Sequence, residues 1–278
     1  MNNAFTNTFA DTFAALLAET ETGKPFVYDE GDEVSLMFDL HTVQSRMKRQ
    51  QPNHLILGYT RAMLGFCMIQ THTHHIGMIG MGGGSLAKYC HYHLPEARIS
   101  VAEIDQRVID LAPHFLIPLD SPRLQIDCAD GADWLKEQTT PFDVLMIDAY
   151  GPQGMPDNIA STVFFDLCRA KLASDGILVV NLWGSDSRFD SYYARIRTIF
   201  DDAAIAIGSD GCANRIVYGF NRGRLPSIKA LQQRCRQIAR QHSIDLPSLG
   251  QRMVRALHAD DGLEPFSQLE QQLRKLHT

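Results

Sequence analysis

Short apolar runs alternate with amphipathic stretches through the middle of the chain. Ile76, Met78 and Ile79 form one run, Ile99 to Ile104 a second, and Arg123 to Ile126 a third, shorter one. Phe142 to Ile147 and Ile177 to Leu182 are longer and more strongly apolar. Runs of this length, bounded by turn residues, predict buried strands. Between them the spacing predicts helices. One is capped by Ser85, runs through Leu86, Ala87, Tyr89 and Cys90, and is ended by Pro95; another starts at Asp105 and ends by Pro113. Further helices are predicted over 132–136, 161–173 and 188–200, and a last pair of strands over 203–207 and 215–220. Alternation of this kind predicts an α/β fold. Its centre is a mostly parallel, doubly wound sheet covered on both faces.

The flanks differ from this pattern. Phe5, Phe9, Phe13 and Leu16–Leu17 recur at helical spacing, which predicts an amphipathic helix closing near Gly23 and docking on the protein's own core. Residues 25–50 carry a turn signal at Asp29-Glu30-Gly31-Asp32. Val34, Leu36 and Phe38 then alternate with Ser35, Met37 and Asp39, as in a half-buried strand of a hairpin or small sheet. Residues 53–69 read as one helix leading into the first core strand. Beyond Pro226 the chain is charged, glutamine-rich and helical in pattern. Three segments follow: residues 1–52 as an N-terminal helix and β-hairpin region, 53–225 as the sheet domain, and 226–278 as a helical C-terminal appendage.

Composition narrows the classes of function. At 278 residues, 45% hydrophobic and 21% charged, the chain can bury a sizeable core. A net charge of −6 disfavours nucleic acid as a partner. The six cysteines form no C-x-x-C pair and read as reduced thiols. Met1 to Ala18 lacks a basic start, and no apolar run approaches the roughly 20 residues of a membrane span. A cytoplasmic protein is expected.

The candidate chemistry sits where the strands end. Gly80-Met81-Gly82-Gly83-Gly84 follows the first core strand at once. Four glycines in five residues let the chain turn sharply and bring backbone amides close to a ligand. Glu103, near the end of the next strand, is placed to accept hydrogen bonds from two ribose hydroxyls, because a carboxylate is acceptor-only. This is the first half of a Rossmann-like nucleotide site. Neither G-x-G-x-x-G nor a P-loop is present, so no pyrophosphate is expected. An adenosyl-sulfonium ligand suits the turn better. Asp130, followed by Gly131, reads equally as a helix cap and as an acceptor for the adenine amino group. Asp148 ends an apolar strand before the irregular loop Ala149-Tyr150-Gly151-Pro152, and reads as functional. The histidines at 72, 74, 75, 91 and 93 read as surface or capping residues, and no metal site is expected. Ser85 lacks the context of a hydrolase nucleophile.

At these residues the chain resembles the spermidine synthase family of polyamine aminopropyltransferases, whose nucleotide domain has the class I methyltransferase fold. The pieces that carry the resemblance are Gly80 to Gly84, Val101 to Asp105, Asp130-Gly131-Ala132 and Asp148. Pro156 to Phe165, Gly176 to Val179 and the N-terminal hairpin are similar too. The resemblance implies decarboxylated S-adenosylmethionine, or S-adenosylmethionine, as co-substrate, with no metal. It implies that Gly80, Gly82, Gly83, Gly84 and Glu103 hold ribose and arm, that Asp130 and Gly131 hold adenine, and that Gln44 reaches over the pocket. An aminopropyl or related alkyl group would pass to a small amine, with Asp148 and Tyr150 at the acceptor and a homodimer as the assembly. The chain departs from the family at two points. Gly151 stands where a second acid usually activates the amine, and Arg61 in Tyr59-Thr60-Arg61 stands where an acid is typical. A methyltransferase using S-adenosylmethionine, and a non-catalytic nucleoside-binding protein, are the alternatives.

Overall fold

The structure is a computed structural model and describes residues 23–40, 42–150 and 154–259. The helix predicted over residues 1–24 lies almost wholly outside them. The first described elements are three antiparallel strands, β1 (Phe26–Asp29), β2 (Glu33–Met37) and β3 (Val43–Lys48). The β1–β2 turn closes through Gly31, whose φ is 80° and whose N–H donates to Asp29 Oδ1 at 2.9 Å. β2 is not half-buried as its alternation predicts. Ser35 and Met37 are buried along with Val34 and Leu36. The Ser35 hydroxyl is tolerated there because it accepts a bond from Arg46 Nε at 3.1 Å.

The segment predicted as one helix over 53–69 is shorter and broken. Residues 53–57 are not helical, α1 spans Gly58–Met63, and a 3-10 turn follows over Leu64–Met68. The cause is distant in sequence. The Tyr218 hydroxyl accepts from Gly65 N–H at 3.2 Å and donates to the Ala62 carbonyl, drawing both groups out of a regular helical ladder.

The main sheet has seven strands. β4 (His75–Ile79), β5 (Arg98–Glu103), β6 (Leu124–Cys128), β7 (Phe142–Ile147) and β8 (Leu172–Trp183) pair in parallel. β10 (Asn214–Phe220) is antiparallel to both β8 and β9 (Ala204–Gly208). The spatial order is β6-β5-β4-β7-β8-β10-β9. β4 is central, and successive strands leave it in opposite directions, so the winding reverses beside β4. Ligands of open α/β sheets bind at such a switch point, outside the carboxyl ends of the strands. The helices are α2 (Ser85–His93), α3 (Gln106–Asp110), α4 (Gly131–Glu137), α5 (Thr162–Lys171) and α6 (Phe189–Ile199). β8 begins five residues before the predicted Ile177, with a register irregularity opposite Phe142–Val144.

One apolar cluster joins Val34, Leu36 and Met47 of the small sheet to Met78, Val101 and Val144 of the main sheet. The C-terminal helices α7 (Ile228–Ile238) and α8 (Leu246–Ala259) put Leu231, Ile238, Leu249 and Met253 into the same cluster. A second cluster fills the opposite face beneath α4, α5 and α6.

The loop between α7 and α8 is tied to α2 by His242, whose Nδ1 lies 3.0 Å from the Tyr89 hydroxyl. Burial, then the neighbouring His93 and Arg234, pushes the His242 pKa down to about 4. The folded protein therefore holds this ring neutral while the unfolded chain protonates it near its ordinary value of 6.5. Its contribution to stability is complete above that value and is lost as pH falls from 6.5 towards 4. Urea unfolding at pH 7.5 and pH 5 should show a smaller drop in His242→Gln than in the parent protein; an equal drop would contradict this.

Candidate active site

Every candidate nucleotide residue except Gln44 sits at the carboxyl end of β4, β5 or β6, or in the turn that follows. Gly80 has a φ of 93°, and its N–H donates to the Ala102 carbonyl at 2.9 Å. A Cβ at Gly80 would lie 2.1 Å from the Asp148 carbonyl oxygen, so only glycine allows the end of β7 to pass this close. Gly82 lines the cleft with Gly80 and Met81, and a Cβ there would sit at ordinary contact, 4.0 Å, from Ser45 Cβ. Gly83 and Gly84 do not line it. A Cβ at Gly83 would meet Ser45 Oγ at 2.6 Å, and one at Gly84 would meet Ile117 Cδ1 at 2.4 Å. These two glycines seat the turn against the small sheet and the Ile117 side chain. Ser85 does not cap α2 either. Gly84 occupies the cap position in the left-handed region, and Ser85 is the first helical residue, its hydroxyl 3.1 Å from that of Ser45.

Glu103 is 9% exposed and lines the cleft. Its Oε2 accepts from Met81 N–H at 2.9 Å and its Oε1 from Asp105 N–H at 3.1 Å. One carboxylate thus clamps the glycine turn to the end of β5. Each oxygen keeps a lone pair for a ligand hydroxyl. Asp130 is the cap of α4, its Oδ1 accepting from Ala132 N–H at 2.8 Å and Asp133 N–H at 3.1 Å. Its Oδ2 accepts from Asn158 Nδ2 at 3.2 Å, and both side chains line the cleft. Capping and ligand-facing are therefore compatible. A Cβ at Gly131 would lie 2.3 Å from Ile79 Cγ2, so glycine lets the first turn of α4 pack on β4.

On the other side of β4, Asp148 follows the last residue of β7. Its Oδ1 accepts from Asn181 Nδ2 at 2.8 Å, and Asn181 Oδ1 accepts from Asn214 Nδ2 at 2.9 Å. Burial pushes the Asp148 carboxyl above its ordinary range. Hydrogen bonds from Asn181 and Tyr59 oppose this shift, and the charge of Glu103 adds to it. Burial, and then the nearby Asp148, holds the Tyr59 hydroxyl protonated far above its usual pKa, and that hydroxyl donates to the Gln44 carbonyl at 3.4 Å. Tyr150 takes a different position from that of a free acid or base. Its hydroxyl donates to the Asn181 carbonyl and accepts from Trp183 N–H, both at 2.8 Å, and its ring stacks on Trp183 at 4.9 Å. Burial raises its pKa. These bonds occupy its proton and make it part of the cleft wall.

Gln44 lines the cleft from β3, and Tyr59, Thr60 and Arg61 line it from α1. The whole cleft has a volume of about 700 Å³, within the range of small-molecule sites, about 300–1,000 Å³. Asn181, Asn214, Tyr59 and Trp183 are site residues that the strand-end argument does not find. Asn181 carried a signal, being the one polar residue in the apolar run Ile177 to Leu182. Of the histidines at 72, 74, 75, 91 and 93, none lines the cleft. His75 is buried, against the expectation of a surface or capping role, with Nε2 3.1 Å from Ser100 Oγ. Among the described residues, no three His, Cys, Asp or Glu side chains converge as a metal site would require.

The winding, the glycine turn and the acid at the end of β5 define a protein of the class I methyltransferase fold. Within that class the chain belongs to the spermine/spermidine synthase family, whose domain matches residues 57–199. A polyamine aminopropyltransferase of Neisseria meningitidis serogroup A is 30% identical over 238 residues, covering 84% of this chain and 89% of that one. Among solved structures, a probable spermidine synthase from Corynebacterium glutamicum matches with a TM-score of 0.66 at 21% identity, over 84% of this chain and 91% of its own. Human methyltransferase-like protein 13, in complex with SAH, matches with a TM-score of 0.59 at 22% identity, over 66% of this chain and 91% of its own. The chain is a transferase.

Proposed function

We propose that this protein transfers an aminopropyl-type group from an adenosyl-sulfonium nucleotide to a small amine, as a homodimer in the cytoplasm. One observation carries the reading. Glu103 and Asp148, acids at the ends of the two strands that flank β4, open into a single cleft with the glycine turn between them. The residues fit such a nucleotide. Glu103 has unused lone pairs for two ribose hydroxyls, Asp130 and Asn158 offer an acceptor and a donor to a base, and Gly82 leaves room for the arm. The name of the Neisseria relative supports an amine acceptor, and the SAH bound to the human neighbour supports an adenosyl ligand.

In this mechanism the amine nitrogen forms a bond to the arm carbon beside sulfur. The carbon–sulfur bond breaks, and its electron pair stays on sulfur as a neutral thioether. The leaving group needs no protonation, so the enzyme chiefly aligns the two partners. Asp148 holds the amine and accepts its proton. Its raised pKa makes it a stronger base than an ordinary carboxylate, and Asn181 fixes its orientation. Gly151, at the position of the family's second acid, lies outside the described residues, and this mechanism runs without that acid.

Incubation with S-adenosylmethionine or its decarboxylated form, plus putrescine as probe amine, should release methylthioadenosine measurable by chromatography. Release of S-adenosylhomocysteine instead would favour a methyltransferase. Tight nucleotide binding with no thioether released would favour a non-catalytic protein.

A further inference from the structure

Charge inside the cleft is unevenly distributed. Four carboxylates line it, those of Glu103, Asp130, Asp148 and Asp210. Asp210 is neutralised by Arg252, with Nη1 2.5 Å from its Oδ1. Among the described lining residues there is a single cation, Arg61. Its Nη1 donates to the carbonyls of Leu55 at 2.8 Å and Ile56 at 2.6 Å, which pins the guanidinium in place. Among the described residues no carboxylate lies within ion-pair distance of it, and its Nη2 and Nε make no hydrogen bond. A half-buried guanidinium held in a ligand cleft without a counter-charge is a ready partner for a ligand carboxylate. Its planar fork matches a carboxylate better than any other side chain does.

Two residues before Arg61 on α1, the Tyr59 hydroxyl donates to the Gln44 carbonyl at 3.4 Å. Arg61, the glycine turn and Asp148 line one cleft, and the arm of a sulfonium nucleotide must pass through it. The turn itself carries no side-chain carboxylate. An arm bearing only an ammonium would find a cation there and be repelled. An arm bearing a carboxylate beside the ammonium would be held.

We infer that Arg61 selects a carboxylate-bearing arm, so that the co-substrate is S-adenosylmethionine itself and the group delivered is 3-amino-3-carboxypropyl. This rests on the transfer reading above and specifies its donor. The step balances as before. The amine nitrogen bonds to the arm carbon beside sulfur, the carbon–sulfur pair leaves with methylthioadenosine, and the proton passes to Asp148.

The test is a set of calorimetric titrations with S-adenosylmethionine, its decarboxylated form and methylthioadenosine, which has no charged arm. The parent protein should prefer the carboxylated sulfonium by roughly 10- to 100-fold, the range of a hydrogen bond to a charged group. Arg61→Gln keeps donors for the Leu55 and Ile56 carbonyls but loses the charge. It should erase the preference and leave methylthioadenosine binding unchanged. Arg61→Glu should reverse the preference. Mass spectrometry of the alkylated amine should find the carboxylate on the product. Preference of the parent protein for the decarboxylated form would overturn the inference. So would an equal loss of all three ligands in Arg61→Gln, which would mark a structural role. If methylthioadenosine fails to bind the parent protein, the transfer reading fails, and not merely the role of Arg61.

Discussion

Glu103→Ala is expected to abolish binding of every adenosyl ligand. The carboxylate has two roles. It accepts from the N–H groups of Met81 and Asp105, and it presents its remaining lone pairs to the ribose. Two hydrogen bonds from ribose to a charged acceptor contribute about 3–6 kcal/mol together, or about 10²- to 10⁴-fold in affinity. Truncation also strips both N–H groups of their acceptor, at a cost of about 1–3 kcal/mol for each that stays buried. The glycine turn would then lose its anchor to β5. Glu103→Gln separates the two effects. The amide keeps one acceptor oxygen, so the melting temperature should fall less than in the alanine variant, while nucleotide affinity should still drop by at least tenfold. Unchanged affinity in either variant, measured by calorimetry, would contradict the ribose assignment.

Asp148→Asn should have the second-largest effect, and of the opposite kind. Nucleotide affinity should stay within a few-fold of the parent, because Asp148 lies on the acceptor side of β4. Turnover should fall by about 10²- to 10⁴-fold, the usual share of a general base. Stability gives a control. Burial raises the Asp148 pKa in the folded state, so its charge makes folding less favourable as pH rises through that value. Removing the charge should therefore leave the melting temperature at pH 7.5 unchanged or higher. The same shift sets the acid limb of kcat/KM in the parent protein. Activity needs the ionised carboxylate, so the limb should lie above the ordinary carboxylate pKa of about 3.9. A limb at or below that value, or full turnover by the asparagine variant, would remove Asp148 from the chemistry.

What could be read from the sequence depended on how local its cause was. The order of strand, glycine turn, helix, strand and acid from His75 to Asp105 follows from residues next to one another, and it holds in the fold. The approach of Asp148 to the turn was legible in outline, since strand-end acids of a doubly wound sheet face one crevice. The break in α1 was not, because the Tyr218 hydroxyl that causes it lies more than 150 residues away. The division of labour among the glycines was hidden for the same reason. Gly83 and Gly84 look like ligand positions until Ser45 and Ile117 are brought against them. Asn181 stood out as polar in an apolar strand, but its link from Asp148 to Asn214 depends on β10 pairing beside β8. Arg61 was visible as a departure from the family. That its guanidinium is pinned to two backbone carbonyls, with no counter-charge among the described residues, could be learned only from the fold.

The account depends on an adenosine occupying the rim of the parallel sheet between Glu103 and Asp148. Methylthioadenosine is common to the methyl, aminopropyl and carboxylated readings, since it holds the nucleoside and sulfur without the charged arm. Its calorimetric titration into the parent protein is therefore the most direct test. The account predicts saturable binding with one site per chain, which Glu103→Ala eliminates. Absence of binding, in a sample that instead takes up a dinucleotide such as NAD, would contradict it.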